Sequence, residues 1–273
     1  MKLLNRLELP VTRIILFFSA AILMIAEMSC AIRDNDKKSE TNHFSLEYVV
    51  LPDSIPQQIK EYEGFTISFN KKNHTPNYVA WELLGSEISY DVERYDFFWQ
   101  DPEIDGCPSH SDYTRSGYDR GHMCPSADQK WSSKSMEDCF VMANICPQSN
   151  SLNAGAWATL ENKERQWAVR DSAIVIIAGP IYNSSDNIRI GKSGVRVPGA
   201  FFKAFLAPYV NEPRAIAFVF PNGVSPGNMQ NYAMSIDRLE ELLGYDLFPG
   251  LPDDIEKKIE SEYSFIEWNK SKR

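Results

Sequence analysis

Two polar clusters and the segment that follows them constrain this chain more than any other feature of its sequence. The first cluster runs from Asp119 to Met123 and the second from Asn144 to Gln148; the following segment is Asn153 to Glu161. That last segment is rich in small and helix-compatible residues. Its Trp157 and Leu160 are three residues apart, the spacing of a buried helical stripe. The sequence therefore predicts a polar site assembled from these three segments.

The first cluster combines a candidate proton acceptor with a candidate phosphate ligand. The unperturbed pKa of His122, near ~6.5, lets its neutral imidazole accept a proton at neutral pH. Arg120 carries a permanent charge on a planar fork that matches a phosphate. Asp119 is a candidate either for orienting a neighbouring donor or for a purely structural role, while Gly121 lacks a Cβ and permits close backbone approach.

The third segment adds oxygen ligands for a hard cation. Asn153 and Glu161 are eight residues apart, which on a helix turns through roughly 800° and leaves them about 80° from superposition. They therefore share one broad side, with Asn153 near the helix start as a direct ligand and Glu161 acting through water. Arg165 falls on the same face, where its alternative role is an i,i+4 pair with Glu161. The alternative for Asn153 is an N-cap.

A zinc site is a competing interpretation of the same region. Cys107, His110, His122 and Cys124 are the residue types that bind zinc. However, one residue separates His122 from Cys124, whereas structural zinc pairs have two to four or more. A zinc-bound His122 would also be lost as a base.

The chain resembles the DNA/RNA non-specific endonucleases of the ββα-metal superfamily. The resemblance rests on Tyr118 to Met123, Asn144 to Gln148 and Leu152 to Glu161, in the family's order and spacing, and extends over roughly residues 60 to 262. It implies an α+β fold in which a central antiparallel sheet is flanked by helices. One strand would carry His122, a second would carry Asn144, and a helix would carry Asn153.

The resemblance also implies a role for each site residue. His122 would be the general base, Asn153 the direct ligand of Mg²⁺ (or Mn²⁺), and Glu161 the residue that holds metal-bound waters. Arg120 and Arg165 would stabilise charge on the phosphate, and Asn144 would lie beside the base. Arg94 and Arg115 both stay open as the counterpart of a further upstream phosphate-binding arginine.

The expected substrates are DNA and RNA, cleaved to leave 5′-phosphate ends, and some relatives form homodimers. The formal net charge of −9 disfavours a wide basic surface for polyanions, so binding must be local, at a basic strip around the cleft. The main alternative is a non-catalytic nucleic-acid-binding envelope lipoprotein on the same scaffold. An enzyme acting on a narrower phosphodiester is a third.

The N-terminus has the pattern of an export signal. Lys2, Arg6 and Arg13 precede an apolar run from Ile14 to Ala26, which is shorter than the ~20 residues that span a bilayer. The sequence predicts a signal peptide over 1–30, a tether over 31–44 and one nuclease domain over 45–273. Cys30 ends a lipoprotein-like pattern, so we expect membrane attachment through its lipidation. Secretion after ordinary cleavage and an uncleaved anchor are the alternatives.

Four cysteines follow Cys30: Cys107, Cys124, Cys139 and Cys146. A Cys124–Cys146 disulfide would brace the site, and buried free thiols are an equal alternative. Apolar runs predict strands over 172–178, 215–220 and 141–145. Helices are predicted over 152–170, 235–243 and 253–261.

Overall fold

The computed structural model describes residues 48–182, 187–223 and 227–270. The predicted signal peptide, the tether and Cys30 lie outside these residues. No helix in the described ranges is long and apolar enough to cross a membrane.

A seven-stranded antiparallel sheet forms the centre of the fold, in the order β12-β11-β10-β7-β4-β3-β2. Its strands are β2 (Gln58–Tyr62), β3 (Phe65–Asn70), β4 (Thr75–Leu84), β7 (Ala173–Ile181), β10 (Ala200–Ala207), β11 (Arg214–Pro221) and β12 (Ala233–Met234). Three two-stranded pairs join β1 (Val49–Val50) to β13 (Asp246–Leu247), β5 (Asp119–His122) to β6 (Ile145–Gln148), and β8 (Arg189–Ile190) to β9 (Val195–Arg196). The strands predicted over 172–178 and 215–220 are confirmed as β7 and β11.

Both faces of the central sheet are buried. Successive side chains of a strand point to opposite faces, so each strand contributes to two cores. Along β7, Ile174 and Ile176 enter one core, and Val175 and Ile177 enter the other. An antiparallel sheet covered on both sides explains why these strands are continuous apolar runs. The predicted α+β class, with a central antiparallel sheet flanked by helices, is confirmed.

In the part of the chain that the structure describes, five α-helices cover the sheet: α1 (Ser133–Asp138), α2 (Ala158–Asp171), α3 (Ile236–Leu243), α4 (Asp253–Ser261) and α5 (Phe265–Trp268). Helix α2 packs on the first core through Leu160 and Trp167, and α3 and α4 cover the second core. Ser235 caps α3 by accepting a hydrogen bond from the Arg238 backbone N–H, which confirms the predicted start. The helix predicted over 253–261 is confirmed but is not the last.

The short helix α5 seats the C-terminal part of the chain on α2. Trp268 is fully buried, and its ring lies 4.8 Å from that of Trp167 in an edge arrangement. The Arg170 guanidinium donates to the Trp268 carbonyl at 2.6 Å. These contacts make α5 part of the first core.

Two sequence predictions in the site region are wrong in detail. Residues 141–145 do not form a strand: Met142–Asn144 make a 3₁₀ turn and β6 begins at Ile145. A short apolar run does not distinguish a strand from a buried turn. The helix predicted over 152–170 begins as a π-helical turn, Leu152–Trp157, in which Gly155 has non-helical φ and ψ of −104° and −108°. Regular α-helix starts only at Ala158.

Candidate active site

A cleft of about 250 Å³ lies where β5, α2 and the loop before β5 meet. Four residues predicted from the sequence line it: Arg120, His122, Asn153 and Glu161. The other lining residues are Arg94, Phe98, Pro125, Ser126 and Ala127. The structure thus brings the candidate base, both candidate metal ligands and two arginines into one cavity.

His122 ends β5, in register with Ile145 of β6. The Trp157 indole donates to the His122 carbonyl at 3.3 Å, and the imidazole packs edge-on against Phe140 at 4.9 Å. Its Nε2 is enclosed and has no hydrogen-bond partner among the described residues. Burial, together with the positive charge of Arg94, lowers the pKa of His122 to about 3. The ring is therefore neutral, the form that accepts a proton.

Asn153 lies in the irregular turn ahead of α2, where its side chain is held by Asp119. The Asn153 amide nitrogen donates to Asp119 Oδ2 at 2.9 Å, and the Asn150 amide nitrogen donates to the same oxygen at 3.0 Å. An amide has two donor hydrogens on nitrogen and an acceptor oxygen. With its nitrogen engaged, Asn153 has its oxygen left for a cation, which fits the predicted ligand role.

Glu161 faces the cleft from the first turn of α2. Burial raises the pKa of its carboxyl to about 7, Lys203 opposes that rise, and Asp128 adds to it. A hard cation binds the ionised carboxylate and opposes the effect of burial. An amide oxygen and a carboxylate in one cleft are a sparse all-oxygen set, which fits a Mg²⁺ ion that keeps several waters.

Two arginines line the cleft, and one of them, Arg94, is a residue that the sequence left open against Arg115. Arg94 packs over the Phe140 ring, with its Cζ 4.9 Å from the centroid, and donates a hydrogen bond to Ser126 Oγ. Arg120 lies 5.5 Å from the Phe98 centroid and donates to the His110 carbonyl at 2.8 Å. Arg115 is exposed and is not among the lining residues. Of these two candidates, only Arg94 lines the cleft.

Two predicted site residues lie outside the cleft lining. Asn144 is fully buried. Its Oδ1 accepts from the Cys124 N–H at 2.9 Å, and its Nδ2 donates to the Cys124 and Cys139 carbonyls at 2.9 and 2.8 Å. Arg165 donates to Asp128 Oδ1 at 2.9 Å, so its salt bridge is with Asp128 rather than with Glu161. Asn144 braces the backbone after His122, and Arg165 holds a buried carboxylate.

A buried charge network behind the cleft was not predicted. Lys203, on β10, donates to Glu164 Oε1 and Oε2 at 2.9 and 2.7 Å, and both side chains are fully buried. The Lys203 ammonium lies 5.2 and 5.0 Å from the Trp81 and Trp157 rings. The available sequence signal was a single lysine inside an otherwise apolar strand, since a buried lysine needs a partner.

The four cysteines in the described ranges, Cys107, Cys124, Cys139 and Cys146, are buried free thiols, so the alternative of a Cys124–Cys146 disulfide is not realised in the structure. Gly121 pairs with Cys146 across β5 and β6. A Cβ at Gly121 would lie 2.4 Å from Gln148 Oε1. The absence of a side chain at Gly121 therefore makes room for the Gln148 side chain on that face of the strand pair.

Comparison with known proteins agrees with this geometry. The sequence model of the family described as DNA/RNA non-specific endonuclease matches residues 42–254. The chain belongs to this endonuclease family. Its fold is the ββα-metal nuclease fold, in which β5, β6 and α2 carry the motifs named above. Members of the family are divalent-metal-dependent nucleases, and nucleic acids are their substrates.

Several named nucleases are similar to the chain. It is 31% identical over 214 residues to a nuclease of Nostoc sp., covering 72% of this chain and 76% of the relative. It is 30% identical to mitochondrial nuclease 1 of Schizosaccharomyces pombe, covering 78% of this chain and 72% of the relative. A crystal structure of the EndoG/EndoGI complex contains a chain of similar fold, with a TM-score of 0.67 and 24% identity. That match covers 72% of this chain and 88% of the other.

Proposed function

We propose that this chain is an endonuclease that hydrolyses phosphodiester bonds in DNA and RNA with little sequence preference, using Mg²⁺ or Mn²⁺. The observation that carries the proposal is the cleft in which the unpartnered Nε2 of His122 meets Asn153, Glu161, Arg94 and Arg120. This set contains a base, cation ligands and phosphate-binding groups. A protein that only bound nucleic acid would not need all three.

In the proposed mechanism, the His122 imidazole takes a proton from a water molecule. The water oxygen forms a bond to phosphorus as the bond from phosphorus to the 3′ oxygen breaks, which leaves a 5′-phosphate end. Arg94 and Arg120 hold the phosphate and offset its developing charge. Asn153 and, through water, Glu161 would hold a divalent cation, which when bound would supply Lewis-acid stabilisation of the charge on the leaving oxygen.

The low pKa of His122 fits this role once the substrate charge is considered. A neutral ring can accept a proton, but a base works best when its pKa is near the working pH. Arg94 contributes to lowering the pKa of His122, and a bound phosphate brings opposite charge to the same place. Binding would therefore raise the pKa of His122 towards neutrality at the moment of reaction.

The decisive experiment compares cleavage of supercoiled plasmid and of RNA in Mg²⁺ and in EDTA. We expect both substrates to be cut only with metal. His122→Ala should lower the rate by about 10² to 10⁴-fold, and Asn153→Ala should raise the Mg²⁺ requirement. His110→Ala is the matched control, because His110 is exposed and lies outside the cleft lining. Folded wild-type protein that binds but cuts neither substrate would favour the non-catalytic alternative.

We also propose that the chain is exported and attached to the cell envelope through a lipid on Cys30. Support comes from the basic residues before the apolar run Ile14 to Ala26, followed by Met28-Ser29-Cys30. Labelled palmitate should enter the full-length chain and not Cys30→Ala. A homodimer, which some relatives in the resemblance form, should give twice the mass of one mature chain in light scattering.

A further inference from the structure

Three carboxylates from α3 and α4 meet on the side of the sheet away from the cleft helix α2. Asp237 and Glu240 lie one turn apart on α3, and Glu260 lies near the end of α4. One ligand oxygen from each falls within 4.8 Å of the other two. Oxygens on opposite sides of a calcium ion are separated by roughly 4.6 to 5.2 Å, twice the Ca–O distance. The spacing therefore suits a calcium-sized ion.

Glu260 supplies an observation independent of this clustering. The residue is 5% exposed, and its Oε1 is enclosed without a hydrogen-bond partner in the described part of the chain. A buried carboxylate oxygen without a partner is costly, and natural structures normally satisfy it with a donor or a cation. One oxygen of the same Glu260 carboxylate lies within 4.8 Å of the Asp237 and Glu240 oxygens. A cation bound by the three carboxylates would therefore lie beside the unpartnered atom.

The surrounding charge points to a cation as that ligand. Glu256 and Asp246 add negative charge near Glu260, and Glu240 Oε1 is already fixed by the Leu247 N–H at 2.8 Å. Across residues 48–182, 187–223 and 227–270, no salt bridge is formed by any of the five carboxylates of this region, which are Asp237, Glu240, Asp246, Glu256 and Glu260. The nearest arginine on α3, Arg238, pairs with Glu241 instead. No salt bridge in these described ranges balances their negative charge.

We propose that Asp237, Glu240 and Glu260 bind a structural divalent cation of the calcium class, which fastens α4 to α3. Only oxygens are offered, as a hard cation prefers, and waters would complete the coordination. Ile259, next to Glu260, is buried in the second core, so the ion would hold that part of the core closed. Glu260 lies beyond residue 254, where the family match ends. The site does not depend on the proposed catalytic function.

The test uses protein purified from cells expressing the full-length chain, with Asn153→Ala and Glu161→Gln introduced to remove the cleft ligands. Thermal unfolding is followed in EDTA and in millimolar Ca²⁺, and calorimetry counts the ions bound. We expect one Ca²⁺ per chain and a melting temperature several degrees higher with Ca²⁺, because a ligand that binds only the folded state stabilises it.

Glu260→Gln in that background should abolish the response to Ca²⁺. It should also unfold no earlier than its parent in EDTA, because it replaces a buried carboxyl group whose Oε1 has no partner with an amide of nearly the same size. Glu241→Gln, on the exposed side of α3, is the matched control and should keep the full response. The proposal is overturned if the parent shows no Ca²⁺-dependent shift, as expected if a proton alone neutralises Glu260. It is equally overturned if the shift survives in Glu260→Gln.

Discussion

The Asn153 amide nitrogen donates to Asp119 Oδ2 at 2.9 Å, and this bond links the proposed cation ligand to the first residue of the strand that ends at His122. Asp119 does not line the cleft. It acts on the site through Asn153, as groups that orient metal ligands do. The link would tie the position of a bound cation to the position of the proposed base.

The first prediction concerns this bond. Asp119→Ala frees the Asn153 amide to rotate, so the Mg²⁺ concentration for half-maximal plasmid cleavage should rise by about 10- to 100-fold. The rate at saturating Mg²⁺ should change much less. Asn150→Ala removes the other hydrogen bond to the same oxygen and should leave the Mg²⁺ requirement near that of wild type. An unchanged requirement in Asp119→Ala would count against the orienting role.

The second prediction concerns Glu161, whose pKa is raised to about 7 by burial. Mg²⁺ selects the ionised form, so binding below pH 7 should release a proton and become tighter as the pH rises towards 7 and above. Calorimetry in two buffers of different ionisation enthalpy measures this release. Glu161→Gln should bind more weakly and release no proton. Equal proton release in both proteins would refute the assignment.

The third prediction is that His122 makes folding sensitive to acid. Its folded pKa of about 3 lies below the ordinary value near ~6.5, so the unfolded chain binds the proton more readily. The stability contributed by neutral His122 is complete above pH 6.5 and is lost as the pH falls towards 3. Wild type should therefore lose stability relative to His122→Gln over that range, measured by urea unfolding. If the free energies of unfolding of wild type and His122→Gln fell in parallel with decreasing pH, the burial of this ring would be contradicted.

The fourth prediction concerns the buried pair of Lys203 and Glu164. Lys203→Met leaves the Glu164 carboxylate without its partner and should lower the free energy of unfolding by about 3 to 5 kcal/mol. Lys203→Met with Glu164→Leu replaces both charges and should recover most of that loss. Denaturant titration of the two variants measures the difference. A double variant as unstable as the single one would show that packing, rather than the unpaired charge, is responsible.

The fifth prediction concerns Arg94 as a phosphate ligand. In a His122→Ala background, Arg94→Ala should weaken DNA binding. It should also reduce the magnitude of the slope of log affinity against log salt concentration by about one. Fluorescence anisotropy across a salt series gives this slope. Arg115→Ala is the matched control, since Arg115 is exposed and outside the cleft lining. Equal slopes for the two variants would remove Arg94 from the phosphate site.

The residues of the cleft were predictable where they lie in local motifs. His122 and Arg120 are neighbours on one strand, and Asn153 and Glu161 are eight residues apart, so short sequence windows contain their relationship. The strand over 173–181 was predictable because an apolar run was bounded by the signals that end a strand. Each of these predictions depends on a sequence pattern formed by residues that are close in the chain.

The rest depends on contacts between residues far apart in the chain. Lys203 and Glu164 are 39 residues apart, and no spacing rule connects a strand lysine to a helix glutamate. Arg94 lies in a loop without periodicity, and only the folded chain places it beside His122. Gly155 breaks the regular helix between Asn153 and Glu161, so ideal helical geometry described their relative orientation only approximately.

The burial of Trp268 shows that the folded domain extends beyond the residues that the family model matches. The family match stops at residue 254, inside α4, yet the chain continues until an indole closes the back of the helix that carries Glu161. A domain cut at the family boundary would therefore be a fragment. When segments of this enzyme are exchanged, grafted or tagged, the chain should be kept intact through residue 268.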